Sequence, residues 1–168
     1  QNVAVTRYVL TLAEMRVAKR ALLRALSLNL LQRPVVSANS IALAVIGGTG
    51  VYKLAQLDNV QSHEVDTRYG APSGPIRVGM LRGYRVAFLA RHGEGHSLPP
   101  HKINYRANVA ALQQIGASRV LALNTVGGIT AQFGPRVLAC PDQLIDYTWG
   151  RVSTFCEEPG NEVQHVDF

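Results

Sequence analysis

The chain has 168 residues, of which 47% are hydrophobic and 17% are charged, a composition typical of one globular domain. This composition excludes disorder throughout the chain and leaves no room for two large domains. Two cysteines are too few for a disulfide scaffold and lack zinc-ligand spacing, so we expect a reducing, cytoplasmic location. No apolar run reaches the length of about 18 residues that a transmembrane helix needs, so no membrane span is expected.

Positive charge is concentrated at the start of the chain. Residues 1–40 contain six basic residues and one acidic residue, whereas the other 128 residues carry 11 basic and 10 acidic groups. A net charge of +6 spread evenly would indicate a nucleic-acid partner. Because residues 41–168 are close to neutral, we expect no nucleic-acid partner.

Residues 1–40 are predicted to form a basic helical extension and a linker. Thr11 and Glu14 have the spacing of a capping box, and residues 11–32 contain neither glycine nor proline. An amphipathic, arginine-rich segment of this kind is compatible with a transit peptide, a membrane-surface helix, a docking helix or a non-native extension. The linker follows from Pro34 to Ser40, and residues 41–168 form the predicted second unit.

From Ile41 onwards, short apolar runs punctuated by glycine predict an α/β domain with a mixed β-sheet flanked by helices. A helix is predicted over residues 104–115, with Gly116 ending it. A hairpin turn is predicted at residues 82–84. The predicted strands are Ile41–Ile46, Ile76–Leu81, Arg85–Ala90 and Val120–Leu123, with one or two more within Val137–Ala139 and Gln143–Tyr147.

Three loops at predicted strand ends carry residues suited to binding an anion. They are Gly47–Gly50 with its Thr49, Arg91–His96, and Asn124–Gly128. Glycine lets backbone N–H groups approach an anion, and a guanidinium matches the oxygens of a phosphate. The first loop has neither the six-residue dinucleotide fingerprint nor the lysine of a P-loop, so those two nucleotide sites are disfavoured. Together the loops predict one oxyanion pocket, with phosphate as the favoured ligand.

A metal site is the alternative for the second loop. His92, His96 and His101 fall within ten residues, and histidine is a common metal ligand. However, no aspartate or cysteine accompanies them at ligand spacing, and Arg91 would repel a cation. The residues therefore favour an anion over a metal, and no nucleophilic triad is visible.

These loops, in this order, resemble the purine nucleoside and methylthioadenosine phosphorylase family. The resemblance runs from about Ile41 to Phe168, and residues 69–73 and 124–129 are most similar to the bacterial methylthioinosine phosphorylase branch. The stretches that carry it are Ala44–Gly50, Leu89–Gly93, Pro100–Asn108 with its Asn104-Tyr105-Arg106-Ala107-Asn108, Asn124–Ile129 and Gln143–Thr148.

The resemblance implies a nucleoside phosphorylase fold and phosphorolysis of a purine 5′-methylthionucleoside to free base and a ribose 1-phosphate. It implies phosphate binding by Thr49, Arg91, His92, Asn124 and Thr125. It also implies a homotrimer in which His165 reaches the substrate of a neighbouring subunit. The implied reaction uses no metal or organic cofactor. Tyr69 and His96 are expected to support the site or pack beside it.

The family continues for roughly a hundred residues beyond the matching stretch, so we expect the chain to be truncated at its C-terminus. The base pocket and the leaving-group acid would lie in that further part, and no catalytic residue is assigned here. Three interpretations therefore stay open beside methylthioinosine phosphorolysis: methylthioadenosine phosphorolysis, general purine nucleoside phosphorolysis, and an inactive anion-binding fragment. A targeting or membrane role for residues 11–32 is a further alternative.

Overall fold

A seven-stranded mixed sheet organises the computed structural model, which describes residues 4–10, 40–48, 57–135, 137–152 and 154–156. The strands in chain order are β1 (Ala4–Leu10), β2 (Leu43–Gly47), β3 (Asp58–His63), β4 (Ile76–Leu81), β5 (Tyr84–Ala90), β6 (Arg119–Thr125) and β7 (Leu138–Ala139). Their spatial order is β3-β4-β5-β2-β6-β1-β7. Strands β5, β2, β6 and β1 run parallel, and β3–β4, β4–β5 and β1–β7 pair antiparallel.

The centre of the sheet confirms the predicted apolar strands. All five residues of β2 are buried, as expected for a strand whose two faces are both covered. The hairpin between β4 and β5 turns at Arg82 and Gly83, which both have positive φ as a two-residue primed turn requires. These elements form as predicted because their signals are local: an apolar run, or glycine at a turn.

One α-helix, α1 (Tyr105–Gln114), occurs among the described residues and connects β5 to β6. The Asn104 side chain caps its first turn by accepting the Ala107 N–H at 3.0 Å, and Gly116 ends it with a φ of 87°. Three short 3-10 helices also form in the described part of the chain, at Glu94–His96, Pro100–Lys102 and Ala131–Phe133. Helix α1 packs on the sheet through Ala111 and Leu112, which join a buried cluster with side chains of β2, β4 and β5.

Two strands and one loop were not anticipated. Strand β3 is polar and mostly exposed at the sheet edge, so it lacks the apolar signal of a strand. Strand β1 lies within the segment predicted as a helical extension, and the predicted helix over residues 11–32 falls outside the described residues. Of the two late candidates, Leu138–Ala139 forms a strand, whereas Gln143–Tyr147 is exposed and forms none. No helix among the described ranges is long and apolar enough to cross a membrane.

A buried side-chain amide ties α1 to the loop that precedes β4. The Ser73 N–H donates to Asn108 Oδ1 at 2.7 Å, and Asn108 Nδ2 donates to Ser73 Oγ at 2.9 Å. Asn104 Nδ2 holds the same loop farther back by donating to the Tyr69 carbonyl at 2.6 Å. Only 2% of Asn108 is exposed, so water does not replace these bonds.

The loop after β5 packs closely against Ser73. Gly93 has a φ of 73°, and a Cβ placed there would lie 2.7 Å from Ser97 Oγ and 3.0 Å from the Ser73 carbonyl oxygen. Glycine therefore serves this position in two ways, because it permits the left-handed backbone and leaves room for the neighbouring atoms. The loop is also held by an ion pair at 2.8 Å between Arg77 Nη2 and Glu94 Oε1.

We predict that Asn108→Ala lowers the free energy of unfolding by about 2 kcal/mol or more, since it leaves the buried Ser73 N–H and hydroxyl without partners. Urea unfolding followed by circular dichroism measures the change. Gln113→Ala, at an exposed position of the same helix, is the matched control and is expected to change stability by less than about 0.5 kcal/mol. Equal losses in the two variants would contradict the structural role of the amide.

A comparison of Gly93→Ala with Gly83→Ala distinguishes the cost of backbone strain from the cost of a steric clash with neighbouring atoms. Both glycines have positive φ, but nothing lies within 4 Å of a Cβ at Gly83. Gly83→Ala is expected to cost about 1 kcal/mol from strain alone, and Gly93→Ala to cost about 1–3 kcal/mol more through overpacking. Urea midpoints for the two proteins test this order, and an equal cost would show that the loop yields to the added methyl group.

Candidate functional site

Three parallel strands end at one edge of the sheet. In the pairing of β2 with β5, Gly47 lies opposite Ala90, and the Arg91 N–H continues the ladder by donating to the Gly47 carbonyl at 2.9 Å. In the pairing of β2 with β6, Ile46 lies opposite Ala122. Continuing both registers places Gly48 between Arg91 and Asn124, with neighbouring strands about 4.8 Å apart. The parallel registers thus bring the three predicted loops to one edge.

The Arg91 guanidinium lies beside the glycine backbone at the end of β2. A Cβ built on Gly48 would be 3.9 Å from Arg91 Nη2. Burial lowers the pKa of Arg91 from its ordinary value, and the nearby Tyr105 opposes that shift. The guanidinium nevertheless stays charged at neutral pH.

No side-chain hydrogen bond or ion pair joins the Arg91 guanidinium to another residue within the described ranges. A partly desolvated guanidinium whose fork is not taken up by a neighbouring carboxylate is suited to the oxygens of an anion.

Two hydrogen bonds hold His92 against Leu98. Its Nδ1 lies 2.9 Å from the Leu98 carbonyl oxygen, and the Leu98 N–H donates back to the His92 carbonyl at 2.9 Å. Because a carbonyl oxygen only accepts hydrogen bonds, the proton in this contact belongs to Nδ1. Nε2 is therefore the ring atom left for a ligand: it accepts from a protonated phosphate oxygen when the ring is neutral and donates when the ring is charged.

Asn124 and Thr125 are the last two residues of β6. Asn124 is half-buried, and Thr125 is exposed. Both follow a strand whose apolar residues Val120, Leu121 and Leu123 are almost fully buried, which fixes where the strand ends. They carry an amide and a hydroxyl, and β6 lies on the opposite side of β2 from β5, the strand that precedes Arg91.

The other candidate residues take different positions. Thr49 and His165 lie outside the described residues. Tyr69 packs against Phe155 with ring centroids 5.2 Å apart, and the guanidinium carbons of Arg68 and Arg106 lie 4.8 and 4.9 Å from its ring centre. His96 lies in the loop with Arg91 and stacks on the His92 ring.

Tyr105 was not anticipated beside the site. It starts α1, donates its hydroxyl to the Pro100 carbonyl at 3.1 Å, and influences Arg91 electrostatically. The sequence predicted this helix, but no local pattern indicates that the first turn of α1 approaches the end of β5. This neighbour is set by tertiary packing.

The donor set fits an anion. Among the described residues, no three His, Cys, Asp or Glu side chains come together as a group that could hold a metal ion. The glycine backbone, the guanidinium, the amide and the hydroxyl at this edge are instead the groups that bind oxyanions in proteins.

Comparison with known proteins identifies the family and confirms the resemblance seen in the sequence. Residues 42–168 match the family model described as the phosphorylase superfamily. A "Probable S-methyl-5'-thioinosine phosphorylase" from Xanthomonas campestris pv. campestris is 89% identical over 133 residues, which cover 79% of this chain and 53% of the relative.

Two relatives with other names are less similar to this chain than that protein is. An "S-methyl-5'-thioadenosine phosphorylase" from Hyperthermus butylicus is 48% identical over 75% of this chain and 45% of the relative. A "Purine nucleoside phosphorylase" from Streptomyces coelicolor is 51% identical over 67% of this chain and 40% of the relative. The chain thus spans about half the length of the curated relatives it matches. With the family model covering residues 42–168, this chain belongs to the phosphorylase superfamily.

Proposed function

We propose that the protein containing this chain cleaves a purine 5′-methylthionucleoside with inorganic phosphate, and that S-methyl-5′-thioinosine is its substrate. The observation that carries the proposal is the Arg91 guanidinium, partly desolvated beside Gly48 at the edge where three strands end. The 89% identity to a relative named as a probable methylthioinosine phosphorylase supports the choice of substrate. The names of the more distant relatives make methylthioadenosine and other purine nucleosides the competing substrates.

In the proposed reaction, a phosphate oxygen attacks C1′ of the ribose while the bond from C1′ to the purine nitrogen breaks. The purine leaves with the bonding electron pair and takes up a proton. Positive charge develops on the ribose in the transition state, so a phosphate fixed beneath the sugar supplies the nucleophile and stabilises that charge. No metal or organic cofactor enters this scheme.

The residues at the sheet edge have separate parts in this proposal. Arg91 holds two phosphate oxygens with its fork, and His92 contacts a third through Nε2. Asn124 and Thr125 bind from the β6 side, backbone N–H groups near Gly48 approach the anion, and Thr49 adds its hydroxyl. Fixing the anion in this way removes the entropy cost of bringing two substrates together.

We further propose a homotrimer in which His165 reaches a neighbouring substrate, and a cytoplasmic location. The family resemblance supports the trimer. The chain has two cysteines, too few for a disulfide scaffold, which supports a reducing compartment.

A chimaera tests the reaction. Residues 42–168 would replace the matching region of the Xanthomonas campestris relative, and purine release from methylthioinosine would be followed by ultraviolet absorbance with and without phosphate. We expect release only with phosphate. Activity of the intact relative without activity of a folded chimaera would contradict the proposal. The same assay on the 168-residue chain shows whether these residues alone suffice.

Base preference requires its own comparison, because the base pocket is expected beyond these residues. The protein that contains this chain should release base from methylthioinosine with a higher kcat/KM than from methylthioadenosine or inosine. A preference for either competing substrate would replace the proposed one and leave the phosphate site unaffected.

Arg91→Ala in the chimaera is expected to raise the phosphate KM about tenfold or more, since a charge-assisted contact of roughly 1.5–3 kcal/mol is lost. Arg91→Lys keeps the charge but lacks the paired N–H donors of the guanidinium. Its phosphate KM should therefore lie between those of the unmodified chimaera and Arg91→Ala. Arg82→Asn, in the exposed hairpin turn, removes the same charge at a position where asparagine suits the positive φ, and should leave the phosphate KM unchanged. An equal effect of Arg82→Asn would indicate general electrostatics in place of a binding contact.

A further inference from the structure

The loop that carries Arg91 and His92 bends back on itself beyond Gly93. Gly95 and His96 follow each other with φ of 65° and 61°, both in the left-handed region. Glycine takes this conformation without cost, but a histidine there carries strain. His96 is exposed, so burial of its own side chain does not explain the strain.

The strained backbone brings two imidazole rings together. The ring centroids of His92 and His96 lie 4.3 Å apart with an angle of 23° between the planes, which is a stacked arrangement. One face of the His92 ring is covered in this way, while its Nδ1 edge is held by the Leu98 carbonyl. These two contacts restrict both the rotation of the ring and the choice of its tautomer.

We propose that His96 is a positioning residue for His92: its stacked ring keeps Nδ1 on the Leu98 carbonyl and leaves Nε2 as the ring atom that contacts the anion. This inference rests on the proposed function, because it assigns His96 to the same phosphate site. His96 itself does not contact the phosphate. It acts by removing alternative orientations of His92 before the anion arrives, which lowers the cost of binding.

The other contacts of the loop do not replace the stacking of His96 on His92. The ion pair between Arg77 and Glu94 fixes the start of the bend, and the close approach of Gly93 to Ser73 fixes its depth. Neither contact touches the His92 ring. Without the His96 ring, one side-chain hydrogen bond within the described residues would hold His92, and a half-turn of the imidazole would put Cδ2 in place of Nδ1 and Cε1 in place of Nε2.

The test uses the 168-residue chain with His96→Asn and His96→Phe. Asparagine tolerates the left-handed backbone and lacks the ring, whereas phenylalanine keeps an aromatic ring at that position. Nitrogen-15 NMR of the histidine rings reports the tautomer of His92, whose signals are assigned by their loss in His92→Gln. Phosphorus-31 NMR titration with inorganic phosphate gives the dissociation constant.

We expect His96→Asn to mix the two His92 tautomers and to weaken phosphate binding between about twofold and tenfold, the range that a stacked aromatic pair contributes elsewhere. His96→Phe should restore both properties. His101→Asn is the matched control, since it removes an exposed histidine that follows closely in the chain, and it should change neither.

Two results would overturn the inference: an unchanged His92 tautomer and phosphate constant in His96→Asn, or equal changes in His101→Asn. Absence of phosphate binding by the unmodified chain would instead count against the proposed function. The tautomer measurement needs no phosphate, so it decides the positioning role in that case as well. If His96→Phe does not fold, the comparison of His96→Asn with His101→Asn still gives the answer.

Discussion

The buried hydrogen bonds between Asn108 and Ser73 are the constraint on which the site depends. They join α1 to the loop before β4, and the carbonyl of Ser73 in turn limits how Gly93 can lie. The direction of the chain after β5 follows from that contact, and with it the placement of Arg91 and His92. The buried hydrogen bonds of Asn108 thus help to set the geometry of the exposed loop with Arg91 and His92, because buried polar groups must keep their partners.

The proposed anion site follows from the order of the strands. Parallel neighbours end at the same edge, so β2, β5 and β6 each deliver one loop to a common place. None of the three loops is distinctive alone, since glycine turns and polar loops are frequent. Their combination with a partly desolvated guanidinium makes this edge suited to an oxyanion, the ligand that we propose for it.

Local signals in the sequence predicted the apolar strands, the hairpin at Gly83 and the capped helix α1. The polar edge strand β3 escaped prediction because its pairing with β4 uses backbone groups and needs few apolar side chains. At the site, the residue types of Arg91, His92 and Asn124 indicated anion chemistry. The tautomer of His92 and the approach of Tyr105 depend on contacts between distant segments, so no reading of neighbours along the chain reveals them.

The two hydrogen bonds between His92 and Leu98 also constrain the length of this loop. The two hydrogen bonds join the first and last residues of the segment from His92 to Leu98. They form only when the segment has the right length. An insertion or deletion between His92 and Leu98 would separate the atoms that these hydrogen bonds join. The length of this loop is therefore constrained together with the identities of His92 and Gly93.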